Sequence, residues 1–188
     1  MDLRLVDLRR GPADDRWWTP PFDEAVTYEH PDWWNPHNFD TEDPWYVQVL
    51  DHGVEVARVE LKEDVDIEHY ANVPAVGAER LEVAFIEVAT AECGRGVGTR
   101  VVRELELRHP GRRLLAYSAE ADGFWAGLGW DPFQHPEGDW RTLFIRPEVR
   151  RAAVRAGLRG QAASGTQGSR RSDDAPKCVG GRQYRHVP

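Results

Sequence analysis

Ile86-Glu87-Val88-Ala89-Thr90-Ala91-Glu92-Cys93-Gly94-Arg95-Gly96-Val97-Gly98-Thr99 is the stretch on which the reading of this chain turns. It continues the most strand-like run in the sequence, residues 80–89, which is β-branched and nearly apolar. Beyond the glycines, Val97, Val101, Val102, Leu105 and Leu107 recur at helical spacing as far as Pro110. The segment reads strand, glycine turn, helix. Glycines at 94, 96 and 98 strip away side chains, so a ligand can approach the backbone. The N–H groups that open the helix, together with its dipole, favour an anion, typically a phosphate. The lysine of a P-loop is missing, because Thr99 and Arg100 follow Gly98. The G-x-G-x-G spacing departs from the dinucleotide fingerprint, and only about three strands follow it, although Glu120 falls roughly where a ribose-binding acid stands. A tight strand–helix turn without a ligand is the remaining reading of these residues.

Working outward, residues 3–8 alternate and read as a first strand. Residues 45–50 and 54–62 form a hairpin around Asp51-His52-Gly53. Between these strands, residues 11–44 hold six prolines and the tryptophans Trp17, Trp18, Trp33 and Trp34, which forbids a long helix and suggests a packed functional loop. Residues 63–78 connect. Downstream, 113–117 is a strand, 121–128 a short helix ending at Gly129, and 130–133 with 140–145 a closing pair of strands. Residues 149–188 are rich in Gly, Ser, Arg and Ala and read as a mostly disordered basic tail, leaving 1–148 as the folded domain.

Charge separates along the same boundary. Residues 150–188 carry nine Lys and Arg against two Asp, a net of +7, so the total of −8 leaves −15 on residues 1–149. An acidic body argues against nucleic acid and attracts cations, protonated amines among them. No apolar run is long enough to span a membrane, and no signal-peptide core opens the chain. Cys93 and Cys178 match no metal spacing and form no disulfide framework, which makes a reducing cytoplasm the expected compartment. His30, His37 and His52 have no metal-ligand spacing with the cysteines, so no metal is expected.

At this point the chain resembles the GNAT superfamily of N-acetyltransferases. Cys93-Gly94-Arg95-Gly96-Val97-Gly98 is similar to the family's coenzyme signature, Gln/Arg-x-x-Gly-x-Gly/Ala, at the glycines. Phe124-Trp125-Ala126-Gly127-Leu128-Gly129-Trp130, about thirty residues on, resembles its second signature of an aromatic pair, Leu-Gly and an aromatic. The resemblance covers residues 1–146 and is most specific over 81–133. It implies an α+β fold whose central, mostly antiparallel sheet of six to seven strands is flanked by helices and splayed at the strands around 81–89 and 112–117. It implies acetyl-coenzyme A as co-substrate, with pyrophosphate on the backbone of Cys93, Gly94, Arg95, Gly96, Val97, Gly98 and Thr99, and the pantetheine arm added like a strand along Ile86, Glu87 and Val88. An N–H there polarises the thioester carbonyl. The amine attacks directly, after a general base has taken its proton.

Glu82 is the candidate base, at the position where some histone-acetylating members keep a glutamate and inside an apolar run that raises a carboxyl pKa. Glu87 and Glu60 are its rivals, and a solvent-facing or arginine-paired carboxylate is the plain alternative. The departures from the family pattern are Cys93 in place of Gln or Arg, Ser118 where asparagine is common, and Trp125 where many members carry the tyrosine that protonates the leaving thiolate. Indole is no acid. Ser118 and Trp125 are assigned to the cofactor site by position, and Tyr117 is the candidate substitute acid, with a core or surface tyrosine as the plain alternative. The aromatics and carboxylates of 11–44 suit a cationic acceptor. The expected acceptor is a small-molecule amine, with a peptide and a non-catalytic acyl-coenzyme A binding role as alternatives. The assembly allows a homodimer, and neither nucleic acid nor membrane is an expected partner.

Overall fold

The computed structural model describes residues 1–15, 17–35, 43–138 and 140–148, so the tail reading for 149–188 lies outside the described residues. Seven strands form one sheet: β1 (Leu3–Arg9), β2 (Trp45–Asp51), β3 (Val54–Lys62), β4 (Arg80–Val88), β5 (Arg113–Tyr117), β6 (Asp131–Phe133) and β7 (Leu143–Ile145). Their order is β1-β2-β3-β4-β5-β7-β6. All pairs are antiparallel except β4 with β5. Helix α1 (Val97–Arg108) crosses from β4 to β5, and α2 (Asp122–Gly127) precedes β6. This is the mixed, mostly antiparallel architecture expected from the sequence. The last strand is shorter than expected: only Leu143–Ile145 pairs. Among the described residues no helix is long and apolar enough to cross a membrane.

Local chemistry explains the elements. The β2–β3 hairpin turns at His52 and Gly53, whose φ values of 51° and 86° are both positive. That is the two-residue turn whose twist matches a hairpin. Val97, Val101, Val102 and Leu105 of α1 are buried in the main core, against the apolar side of β2, β3 and β4. Opposite residues on paired strands point to one face, so the other face carries Tyr46, Glu60, Lys62, Glu82 and Phe85. Two covers protect it. A small core of Trp33, Trp34, Tyr46 and Phe85 covers the β2–β4 half. Val65, Ile67, Tyr70 and Val76 cover the β5–β7 half, against Leu115, Leu143 and Ile145.

The parallel pair is brief. β4 meets β5 only at Arg80↔Arg113, Leu81↔Leu114 and Glu82↔Leu115. Beyond Glu82 the two strands separate, although β4 continues to Val88. The splay expected between 81–89 and 112–117 is therefore present, and it starts at the residue proposed as base.

Cys93 is disulfide-bonded rather than a free thiol. The expectation of no disulfide framework is corrected at this position, and Cys178 lies outside the described residues. A bonded sulfur is no nucleophile.

Candidate active site

Two features bracket the stretch of β4 that has no β5 partner, Glu82 where the pairing ends and the glycine turn beyond Val88. The first is the glycine turn. Gly94 and Gly96 have φ values of 75° and 73°, a region that side chains of L-residues rarely adopt. Gly96 is the N-cap of α1, and no side chain caps the helix there. The first bond into the helix runs from Arg100 N–H to Gly96 C=O at 3.2 Å. The N–H groups of Val97, Gly98 and Thr99 precede it and are the donors a helix start leaves over. Gly98 packs close: a Cβ there would meet Phe124 Cε2 at 3.4 Å and Val88 Cγ2 at 3.6 Å. Glycine thus lets α1 lie against α2 and β4.

The second feature is Glu82. It is 3 % exposed and sits at the seam between the two covers, opposite Lys62 on one side and Leu115 on the other. Burial pushes its carboxyl up from 4.5 to about 7, with Glu60 adding to the rise and Lys62 and Arg141 opposing it. Among the described residues no side chain or backbone group donates a hydrogen bond to its carboxyl. A buried carboxyl that titrates near neutrality and is not tied to a donor suits proton transfer.

The rivals differ. Glu87 is fully buried and accepts from the His30 N–H at 2.8 Å and the Trp34 Nε1–H at 2.8 Å, and His30 Nδ1 lies 3.1 Å from the same carboxylate. Its carboxylate holds the Pro31–Trp34 turn on the sheet, an anchoring part that Glu82 does not play. Glu55 plays a similar part, accepting from Tyr28 Oη at 3.0 Å, Gln48 Nε2 at 2.5 Å and Arg58 Nε at 2.6 Å. Glu60 is buried and raised by burial, with Lys62 Nζ at 3.5 Å from Oε1 and no partner on Oε2.

Trp125, Ser118 and Tyr117 are each engaged by near neighbours in the fold. Trp125 is 4 % exposed and packs on Trp130, with centroids 4.8 Å apart, inside the main core. Phe124, not Trp125, is the aromatic beside the glycine turn. Ser118 is buried, and its Oγ accepts from Ala121 N–H at 3.1 Å, which shapes the entry to α2. Tyr117 donates to the Asp66 carbonyl, and burial first, then the charge of Glu82, pushes its pKa up. A phenol so placed is a poorer acid than an ordinary one. It contributes a wall beside Glu82 rather than a ready proton.

The tryptophans of 11–44 divide. Trp33 and Trp34 are buried, with Trp33 stacked on His30 at 3.9 Å, whereas Trp17 is 62 % exposed. Sequence reasoning missed the tie from Glu87 to His30 and Trp34. Its one signal was a charged residue inside an apolar strand.

No protein-family model and no curated protein matches the chain. Among solved structures it is similar to a putative acetyltransferase from Exiguobacterium sp. 255-15, at 14 % identity over 78 % of this chain and 93 % of that one, TM-score 0.47. It is similar to an acetyltransferase from Thermus thermophilus, at 17 % identity over 62 % of this chain and 71 % of that one, TM-score 0.44. A GNAT family acetyltransferase from Elizabethkingia anophelis with acetyl-CoA bound gives 8 % identity over 75 % and 95 %, TM-score 0.42.

Proposed function

We propose that this chain transfers an acetyl group from acetyl-coenzyme A to the amine of a cationic small molecule by direct attack, with Glu82 as the general base. The observation that carries the reading is one strand, β4, that loses its β5 partner at a near-neutral carboxyl and runs on to an uncapped glycine turn. Acetyl-coenzyme A supplies the activated acyl carbon and the thiol leaving group. The N–H groups of the turn from Gly94 to Thr99 are suited to the pyrophosphate. The edge of β4 from Ile86 to Val88 lacks a β5 partner and offers the hydrogen bonds of an added strand to the pantetheine arm. Glu82 takes the proton of the incoming ammonium, so the amine lone pair can form the new C–N bond as the C–S bond breaks. Tyr117 is engaged elsewhere, so the departing sulfur takes its proton from water.

The test is calorimetric titration of the purified chain with acetyl-coenzyme A, followed by thiol release on a panel of amines. Saturable binding, roughly micromolar, and amine-dependent release are expected. A folded chain that does not bind sinks the reading. Binding without release on any amine favours a non-catalytic acyl-coenzyme A binding protein, the role that Trp125 and the engaged Tyr117 keep open.

A sharper check is Gly96→Val. No atom lies within 4 Å of an added Cβ, so the side chain has room, but φ of +73° is strained for it. The strain is expected to cost about 1–3 kcal/mol, read in thermal unfolding. The turn relaxes its N–H groups, and affinity for acetyl-coenzyme A is expected to fall about tenfold or more in the same calorimetry. Unchanged affinity removes the turn from the site.

A further inference from the structure

Lys62 stands directly opposite Glu82 in the β3–β4 register, the position from which a cross-strand lysine ordinarily closes an ion pair. It does not do so here. Its ammonium lies 3.5 Å from Oε1 of Glu60, two residues back on its own strand. Glu60 explains the choice. Its Oε2 is buried with no partner, and Lys62 is the cation at its other oxygen. Removing Lys62 leaves a buried carboxylate with nothing to balance it, which is costly. The long flexible stem of lysine reaches either carboxylate.

Resting on Glu82 as the base, we infer that Glu60 is a positioning residue: by holding Lys62 it keeps that ammonium from closing on Glu82 and leaves the Glu82 carboxylate open to accept a proton. The groups that face Glu82 are Glu60 and Lys62 on β3, Tyr117 on β5 and Arg141 ahead of β7, with Tyr46 of β2 behind Glu60. Lys62 and Arg141 favour the ionised form, whereas Glu60 opposes it. Glu60 therefore acts twice in one direction, by its own charge and by diverting Lys62.

The experiment follows the Glu82 side-chain carboxyl by carbon NMR through a pH titration of the full chain, assigned with Glu82→Gln. Glu60→Gln is expected to lower the midpoint by about one pH unit or more. Lys62→Met, at a partly exposed position, is expected to raise it. In the Lys62→Met background, Glu60→Gln should lower it much less, because no lysine is left to divert. An unmoved midpoint in Glu60→Gln overturns the inference. So does a drop of equal size with and without Lys62, because Glu60 then acts by its charge alone. If Glu60→Gln does not fold, Lys62→Met decides alone, and a midpoint that falls or stays put overturns the inference. The acid limb of kcat/KM on an amine should track these midpoints. If the midpoints move as expected while no amine is acetylated, the proposed activity fails and the control of Glu82 stands.

Discussion

Replacing Glu82 with glutamine is expected to lower kcat/KM toward an amine by about a hundred- to ten-thousand-fold at neutral pH, the usual worth of a positioned base, and at the same time to make the protein more stable. The two effects share a cause. The carboxyl gives up its proton near pH 4.5 in an ordinary environment and near 7 in the fold. A group that the folded state holds protonated longer costs nothing below the lower value. The cost grows between the two and is complete above about 7. The shift from 4.5 to about 7 corresponds to about 3 kcal/mol. The side chain of the glutamine variant does not ionise, so denaturant unfolding at pH 8 should show a gain that vanishes toward pH 4. Activity of the unaltered chain should fall as pH drops through about 7. Full turnover in that variant would move the proton to another group or to water. A loss of stability would mean that the carboxylate is anchoring rather than waiting.

Glu87→Ala is expected to have the opposite sign. Removing this carboxylate orphans the Trp34 indole N–H and the His30 N–H, both now bonded at 2.8 Å. Unmet buried donors cost about 1–3 kcal/mol each, so about 3 kcal/mol or more is expected. For a chain of this length that is a fall in Tm of roughly 6–12 °C. Thermal unfolding measures it, and tryptophan fluorescence should report Trp33 and Trp34 becoming exposed. A loss under about 1 kcal/mol would show that packing on Phe85 and Tyr46, rather than the carboxylate, holds the turn. Two glutamates five residues apart on β4 thus separate by the sign of their effect on stability.

That distinction was not legible in the sequence. The elements were, because they rest on local pattern: the hairpin strand 54–62 and the strand 113–117 agree with β3 and β5, and the glycine spacing located the start of α1. The glycine turn was legible for the same reason, since positive φ at 94 and 96 needs no distant partner. What separates Glu82 from Glu87 is the packing of the 17–34 loop, with partners 53 and 57 residues away in the chain. No spacing rule spans that gap. Trp125 and Ser118 were placed by analogy with a signature, and each was claimed by a nearer demand: Trp130 for one, the entry to α2 for the other. The diverted Lys62 was equally hidden, because register names its opposite residue and only side-chain geometry shows where its charge goes.

The three-rung contact between β4 and β5 carries a colloidal consequence. β4 is nine residues long and mostly apolar, and past Glu82 one of its flanks has no sheet neighbour. An unpaired apolar strand flank is a template for foreign chains, which proteins commonly guard with charge, proline or a cover. If the chain binds acetyl-coenzyme A as proposed, the pantetheine arm would be that cover. On that reading a cell short of the coenzyme would leave the flank uncovered, the population would become stickier, and supply of the ligand would govern solubility.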